Sequence, residues 1–270
     1  MATPLQVEQY REQGYFIADD AVAPDMLAAL EAGARRAVEK VRSGAVVATA
    51  ERISTGGPGV EPRHILGLIA PEFGEPIFAE YLMSEPVETY VRAMVGGPLR
   101  LGWMGLTVLC GPTEYDTGWH RDFGQEERDG SREVELEILS RYRKNLVKWH
   151  LALVEDACLW LVPGSQRRYR TEQEREVLIN NRKGDVPNAR QIALQKGQTI
   201  FWTGNTIHRG CLPAGVNERL TLMGALAKHE EDQREALDER FRWQLASNVR
   251  AGLPARMQSY YDRWRQVQDV

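Results

Sequence analysis

Apolar residues along the chain recur with two different periodicities, one typical of helices and one typical of strands. The patch YFIADD near the N-terminus predicts a short strand, and apolar residues then recur at helical spacing from Leu27 to Val41, which predicts a helix beginning near Pro24. A second helical pattern covers residues 86–95. The stretch 43–63 between them mixes Gly, Ser, Thr, Pro and charged residues, so we expect a long loop or mobile cover there.

From residue 100 onward most apolar segments have the length and composition of strands. A turn at EDAC (155–158) between two of them predicts a short antiparallel hairpin, and a capping box at Thr171 predicts one helix between later strands. The predicted strands cover residues 100–111, 146–154, 159–166, 191–194, 198–202 and 219–226.

Short strands in series, with helices concentrated at the chain ends, predict a fold that is mainly β with flanking helices. Such a pattern is typical of an antiparallel double-sheet barrel, the double-stranded β-helix of jelly-roll and cupin-like proteins. A chain of 270 residues fits one large domain. We therefore expect a single domain over 1–270, with a core at about 6–228 and a helical extension at about 229–270.

The composition excludes several classes of protein. The net charge is −4 and no dense Lys/Arg block occurs, so we expect no nucleic-acid partner, and no apolar stretch is long enough to cross a membrane. The three cysteines are too few and too scattered for a disulfide scaffold or a thiolate zinc site. Because the N-terminus lacks signal-peptide features, we expect a cytoplasmic protein. We also expect a monomer or small homo-oligomer that acts on a small-molecule substrate.

The segment GWHRDFG (118–124) places His120 and Asp122 two residues apart, just after a predicted strand. In an extended chain residues i and i+2 point to the same side, so both side chains can reach one metal ion, whereas on a helix they would diverge by about 200°. A turn with a surface hydrogen bond is the alternative interpretation of this triplet.

A metal site needs a third ligand from elsewhere in the chain, and His208 is the best candidate. It follows the apolar strand at 198–202, and Gly204 and Gly210 on either side give the backbone room to bring the side chain inward. A core histidine that bonds a backbone carbonyl is the alternative.

Arg219 begins the last predicted strand, in which alternation places Arg219, Thr221 and Met223 on one face. If that face points into the barrel, the buried guanidinium needs a carboxylate, which its fork geometry binds at two points. No acidic residue stands at an obviously matching place in the sequence. We therefore expect a bound carboxylate ligand to be the partner of Arg219.

With these residues assembled, the sequence resembles the phytanoyl-CoA dioxygenase family of iron(II)- and 2-oxoglutarate-dependent oxygenases. In that family a His-x-Asp pair, a distant histidine and an arginine about eleven residues later hold iron and co-substrate. Three segments carry the rest of the resemblance, which runs from about residue 6 to residue 228: EQYREQGYFIADDAVAPDMLAAL, LWLVPGSQRR and IHRGCLPAGVNERLTL.

The resemblance implies that His120, Asp122 and His208 bind iron(II) and that Arg219 holds the far carboxylate of 2-oxoglutarate. O₂ would take the coordination position of the iron that the protein and the co-substrate leave open. Decarboxylation of 2-oxoglutarate to succinate would accompany hydroxylation of an unactivated C–H bond. Related halogenases replace the aspartate by a small residue, so Asp122 favours hydroxylation. Thr107 lies where relatives place a polar contact to the co-substrate.

The sequence departs from the family pattern at three places. Gln166 replaces the histidine that usually ends the Pro-Gly-Ser turn, and residues 156–158 (Asp-Ala-Cys) replace the Asn-Gly before it. Gly210 stands where relatives often carry a serine that bonds the co-substrate. We expect Thr221 to compensate for that serine from the Arg219 face.

Two other functions fit the same residues: a cupin-like isomerase or dioxygenase without 2-oxoglutarate, and a non-catalytic ligand-binding barrel. The substrate is open. Several side chains are expected near the entrance, either as contacts for an acidic substrate group or as solvated charges paired with glutamates. They are Arg52, Arg63, Arg128, Arg132, Arg141, Arg143 and Trp243. The remaining histidines, His64, His150 and His229, have ordinary interpretations, although His150 lies on a strand that can line the pocket.

Overall fold

Two antiparallel sheets form the centre of the fold in this computed structural model. The structure describes residues 2–47, 53–57, 60–110, 115–123, 130–142 and 144–269. The strands in the described ranges are β1 (Tyr15–Ala18), β2 (Ile53–Gly57), β3 (Val60–Leu66), β4 (Leu99–Cys110), β5 (Leu146–Ala152), β6 (Asp156–Leu161), β7 (Arg190–Leu194), β8 (Thr199–Trp202), β9 (His208–Gly210), β10 (Glu218–Lys228), β11 (Glu235–Ala236) and β12 (Gln268–Asp269).

Helices precede, follow and connect the strands along the chain. They are α1 (Pro4–Gln13), α2 (Pro24–Arg42), α3 (Ile77–Leu82), α4 (Glu85–Val95), α5 (Arg132–Arg141), α6 (Glu172–Asn180), α7 (Ser247–Gly252) and α8 (Ala255–Val267). Short 3₁₀ segments lie at Pro71–Phe73, Ser165–Arg167 and Glu239–Leu245.

The chain passes back and forth between the two sheets. The larger sheet has seven strands in the order β1-β8-β5-β10-β4-β3-β2, and the smaller sheet has the order β7-β6-β9. Isolated bridges from Asp116 to Cys211 and from His120 to His208 extend the smaller sheet beyond β9. Between β4 and β10 the chain therefore crosses several times from the larger sheet to the smaller one and back, as in a double-stranded β-helix. The predicted fold is confirmed.

Apolar side chains fill both faces of the larger sheet. On its inner face Ala152 and Trp202 are fully buried, and a cluster that joins β1, β5 and β8 to β6 and β7 fills the space between the sheets. On its outer face α2, α3, α4 and α8 pack against the strands and bury the largest cluster. Burial at roughly 25 cal/mol per Å² of apolar surface makes this packing the main source of stability.

Several local predictions are confirmed. Pro24 occupies the first turn of α2, the second predicted helix is α4, and the capping box at Thr171 with Glu174 begins α6. Thr171 accepts from the amide of Glu174, and the Glu174 carboxylate accepts from the amide of Thr171, which satisfies two amides at the helix start.

Two local predictions are wrong. The strands around EDAC do not pair with each other, because β5 belongs to the larger sheet and β6 to the smaller one. The stretch 43–63 is not simply a loop, because β2 and the start of β3 lie within it and β3 pairs with β4. Residues 48–52, 58 and 59 of that stretch lie outside the described residues.

None of the helices in the described ranges combines the length and the apolar composition that a membrane span requires.

Candidate active site

His120, Asp122 and His208 come together in a cavity between the two sheets. One potential ligand atom from each lies within 4.8 Å of the others. His208 Nε2 is 3.5 Å from Asp122 Oδ1, and the centres of the two imidazole rings are 4.3 Å apart. Two imidazoles and one carboxylate converging from one side form the donor set that non-haem iron(II) sites use.

Backbone hydrogen bonds hold these three residues in register. The amide of each histidine donates to the carbonyl of the other at 2.9 Å, and the amide of Asp122 donates to the carbonyl of Gly204 at 2.9 Å. A Cβ atom at Gly204 would lie 1.8 Å from Asp122 Oδ2. Position 204 must therefore be glycine to admit the Asp122 carboxylate, and the expectation that Gly204 makes room for His208 is corrected.

The hydrogen bonds of the two histidines define which ring nitrogen can bind a metal. Nδ1 of His120 lies 2.8 Å from the carbonyl oxygen of Gly118, and Nδ1 of His208 lies 2.7 Å from that of Thr206. A carbonyl only accepts, so each Nδ1 carries the proton and each Nε2 presents a lone pair. Burial lowers the pKa of His120 and places the pKa of His208 well below its usual value, which keeps both rings neutral.

Arg121, between the two ligands of the His-x-Asp pair, anchors their turn from behind. Its fully buried guanidinium donates to the carbonyl oxygens of Ser165, at 2.9 Å, and Asn205, and it pairs with Glu135 at 3.2 Å. Glu135 also pairs with Arg170 at 3.1 Å. Helix α5, which carries Glu135, is thereby tied to the metal-binding turn.

The three potential metal ligands line a cavity of about 330 Å³. The cavity also receives Thr107, His150, Trp202 and Arg219 from the larger sheet. The predicted inward face of β10 is confirmed for Arg219 and Met223, which both line the cavity. The predicted metal ligands and the predicted anion-binding arginine therefore share one space.

Arg219 has a carboxylate partner within the protein, so the expectation that it lacks one is wrong. Its Nε donates to Asp156 Oδ2 at 3.1 Å, and both side chains are only 3% exposed. Asp156 also accepts from the Thr221 hydroxyl at 2.5 Å and from the amide of Cys158 at 2.8 Å. The sequence pattern does not indicate this partner, because EDAC resembles a turn, whereas Asp156 begins β6 and meets Arg219 across the sheets.

The electrostatics of this pair are strongly coupled. Burial alone would raise the pKa of Asp156, but Arg219, the Thr221 hydroxyl and the Cys158 amide lower it to about 2. Burial likewise opposes the charge on Arg219, but Asp156 outweighs it and raises the pKa of the guanidinium. Both groups are therefore ionised at neutral pH and form a buried ion pair at the wall of the cavity.

The two threonines expected to contact the co-substrate have different positions. Thr107 lines the cavity, and its hydroxyl lies 3.1 Å from the sulfur of Met223. Thr221 is fully buried, and its hydroxyl hydrogen bond goes to Asp156. Thr221 therefore supports the Arg219–Asp156 pair, and the structure does not place it on the cavity wall.

Lys148 is a cavity residue that the sequence analysis did not single out. It lies on β5, and its Nζ donates to Asp122 Oδ2 at 2.8 Å. The same ammonium lies 4.2 Å from the centre of the Trp202 ring. The sequence contained one indication of this role: Lys148 stands in the largely apolar strand LVKWHLALV, where alternation places it on the same face as His150.

The C-terminal segment closes one side of the cavity. Arg240 and Phe241, from the 3₁₀ segment after β11, line it, and Phe241 stacks on Trp103 of β4 with ring centres 6.1 Å apart. Arg240 is held by Asp238 through hydrogen bonds of 2.6–3.2 Å. The extension at 229–270 thus contributes directly to the site.

A second cavity of about 690 Å³ adjoins the first and shares His64, Tyr115 and Thr117 with it. We call the second cavity the outer cavity and the one that holds the triad the inner cavity. Arg63 and Lys183 line the outer cavity. His64 was expected to be an ordinary histidine, but it lies on both cavities. Burial, followed by the charges of Arg219 and other arginines, lowers its pKa to about 4.

Of the side chains expected near the entrance, Arg63 alone among the described ones lines either cavity. Arg132 lies over the ring of Tyr169, Arg141 pairs with Glu137 on the surface, and Trp243 is buried beside Gly67. Arg52, Arg128 and Arg143 lie outside the described residues. His150 lines the inner cavity, and burial and Arg219 lower its pKa to about 3.

Two facing antiparallel sheets with two histidines, one aspartate and a buried arginine around one cavity define a double-stranded β-helix protein with the site of a mononuclear metal enzyme. The chain belongs to the phytanoyl-CoA dioxygenase (PhyH) family, whose sequence model matches residues 10–211. The expected family is confirmed, and it is a family of iron(II)- and 2-oxoglutarate-dependent oxygenases. The match contains His120, Asp122 and His208 but ends before Arg219 and the C-terminal segment.

Solved structures share this fold at low sequence identity. AviO1 from Streptomyces viridochromogenes is 19% identical, with a TM-score of 0.59 over 84% of this chain and 97% of its own. EctD from S. alaskensis, solved with 2-oxoglutarate and 5-hydroxyectoine, is 18% identical, with a TM-score of 0.63 over 84% and 77%. The epimerase SnoN from nogalamycin biosynthesis is 16% identical, with a TM-score of 0.58 over 83% and 82%. A search of curated proteins finds no match.

Proposed function

We propose that this protein is a hydroxylase that uses iron(II), 2-oxoglutarate and O₂ to oxidise an unactivated C–H bond of a small molecule. The observation that carries the proposal is the single cavity that contains the His120–Asp122–His208 triad and the Arg219 guanidinium. A metal and a dicarboxylate bound there would be neighbours, which is the arrangement that coupled oxidation requires.

The triad suits iron(II). Both Nε2 atoms and the Asp122 carboxylate are available to the metal, and three protein ligands on one side leave further coordination positions for co-substrate and O₂. Bound iron would supply the redox chemistry by which decarboxylation of 2-oxoglutarate to succinate drives substrate oxidation. Retention of the Asp122 carboxylate, which halogenases of this kind lack, favours hydroxylation over chlorination.

Arg219 suits the far carboxylate of 2-oxoglutarate. Asp156 engages Nε, and no other described residue forms a hydrogen bond with Nη1 or Nη2. These two terminal groups present a two-point donor to an anion in the cavity. Asp156 therefore orients the guanidinium, while Thr107 offers a polar group on the adjacent strand β4.

The substrate is proposed to enter through the outer cavity and to place its reacting carbon in the inner one. His64, Tyr115 and Thr117 form the shared boundary, and Trp103 and Phe241 form an apolar wall beside it. Aromatic walls of this kind exclude water around the reacting groups. A ligand with an apolar portion near Phe241 and a polar portion in the outer cavity fits these linings.

Succinate release from 2-oxoglutarate, measured with a panel of small molecules, tests the proposal. His208→Ala and Asp122→Ala should lose iron and activity, whereas Arg219→Ala should retain iron and bind 2-oxoglutarate at least about 100-fold more weakly. A product heavier than the substrate by one oxygen would support hydroxylation, and a product of unchanged mass would instead indicate epimerisation. Iron binding without any succinate formation would favour a cupin-like enzyme that needs no co-substrate.

A further inference from the structure

Lys148 places a positive charge directly against the metal-binding aspartate. Its side chain is 11% exposed, its Nζ lies 2.8 Å from Asp122 Oδ2, and the neighbouring Val147 and Trp149 on β5 are fully buried. The contact with the Trp202 ring adds a cation–π interaction. The ammonium is thus held at a defined position in the cavity.

The two oxygens of Asp122 face different partners. Oδ1 lies 3.5 Å from His208 Nε2, on the side where the three potential ligands converge, and Oδ2 accepts the hydrogen bond from Lys148. The ammonium therefore fixes the orientation of the carboxylate, with Oδ1 toward His208. Lys148 acts here as a positioning residue, because it reaches the metal site through Asp122.

Lys148 also changes the charge of the site. The Asp122 carboxylate is the one negative charge of the triad, and the Lys148 ammonium offsets it. A divalent cation is therefore attracted to the triad less strongly than it would be without the ammonium. An anionic ligand that binds beside the metal offsets the repulsion between the two cations and is attracted by both.

We propose that Lys148 couples metal binding to co-substrate binding. It keeps the affinity for a divalent ion alone low and lets 2-oxoglutarate raise that affinity, so that the ion is retained chiefly when the dicarboxylate is present. The coupling is reciprocal, since each ligand must raise the affinity of the other by the same factor. This inference rests on the proposed function for the identity of the dicarboxylate.

The test is the affinity for Mn(II), a redox-stable substitute for iron(II), measured by calorimetry with and without 2-oxoglutarate. In the unaltered protein 2-oxoglutarate should tighten Mn(II) binding by about tenfold or more. Lys148→Met should bind Mn(II) alone about tenfold more tightly and show a smaller enhancement by 2-oxoglutarate, while Lys148→Arg should retain the full enhancement. Lys196→Met, which removes a surface lysine paired with Glu31, serves as the control and should change neither value.

The direction of the change separates this role from a purely structural one. If Lys148 only supported the fold, Lys148→Met would weaken Mn(II) binding, and that result, or an unchanged affinity, would overturn the proposal. Lys148→Gln repeats the test with a polar side chain if Lys148→Met does not fold. If the unaltered protein binds Mn(II) but 2-oxoglutarate has no effect, the proposed function fails, while tighter Mn(II) binding by Lys148→Met still supports the charge effect of Lys148.

Discussion

Replacement of Asp156 by asparagine tests the buried pair that the structure reveals at the base of the cavity. The substitution keeps the size and shape of the side chain but removes the charge that balances Arg219. It also turns one acceptor into a donor. The new amide group then faces either Arg219 Nε and the Thr221 hydroxyl, which both donate to Oδ2, or the Cys158 amide, which donates to Oδ1.

The expected loss in the free energy of unfolding follows from the burial of both partners. Removal of one member of a buried ion pair typically costs about 3–5 kcal/mol, because the remaining charge stays desolvated without compensation. Arg219 and Asp156 are each only 3% exposed, so solvent screening gives little relief. For a chain of this size, a loss of about 3 kcal/mol corresponds to a fall in Tm of roughly 6–12 °C.

The pH dependence of this loss is also defined. The folded-state pKa of Asp156 is lowered to about 2 from an ordinary value of 3.8, so its contribution is complete above the ordinary value and disappears as the pH falls toward 2. Between pH 5 and pH 8 the Tm difference between the unaltered protein and Asp156→Asn should therefore be constant.

Thermal unfolding followed by circular dichroism measures the effect, and the chain provides a matched control. Asp262 also pairs with an arginine, Arg250, through two hydrogen bonds, but both side chains are about half exposed. Asp262→Asn should cost less than about 1 kcal/mol. A loss of the same small size for Asp156→Asn would refute the view that the buried Arg219–Asp156 pair is an essential part of the site.

Three further predictions concern the metal site, the acid side of the stability curve and the cavity wall. Gly204→Ala should weaken Mn(II) binding by about 100-fold, because the added methyl group overlaps the Asp122 carboxylate; an affinity within a factor of about two of the unaltered protein would contradict the geometry. Burial and Arg219 lower the pKa of His150 to about 3, so the contribution of this neutral side chain to stability is complete above about pH 6.5 and is lost as the pH falls toward 3. His150→Phe should therefore reduce the slope of the free energy of unfolding against pH in this range by up to about 1.4 kcal/mol per pH unit, measured by urea titration. An unchanged slope would argue against this effect of His150. Phe241→Ala should leave 2-oxoglutarate affinity unchanged but increase succinate release without substrate, whereas weakened 2-oxoglutarate binding would place Phe241 nearer the co-substrate than proposed.

The residues that the sequence predicted are those with a local signature. His120 and Asp122 share one side of an extended segment because of their spacing, and alternation along β10 places Arg219 on the inner face. The order of these motifs along the chain also resembles the family that the comparison confirms. Local periodicity and motif order were therefore sufficient for the fold and for the potential metal ligands.

The residues that the sequence did not predict depend on contacts between distant segments. Asp156 and Arg219 are far apart in the chain, and only the crossing from one sheet to the other brings them together. The same crossing explains the wrong hairpin, because two strands joined by a short turn have the same local pattern whether they pair or enter opposite sheets. Phe241 joins the cavity through stacking on Trp103, a contact that no periodicity indicates.

The most direct test of the central claim is an anaerobic titration of the iron(II)-loaded protein with 2-oxoglutarate, followed by visible absorption. If the triad holds iron beside the anion site of Arg219, a weak charge-transfer band should appear, saturate with added 2-oxoglutarate, and require a much higher concentration in Arg219→Ala. Iron that remains bound by the protein without any such band would contradict the account and leave the triad as a metal site that does not use 2-oxoglutarate.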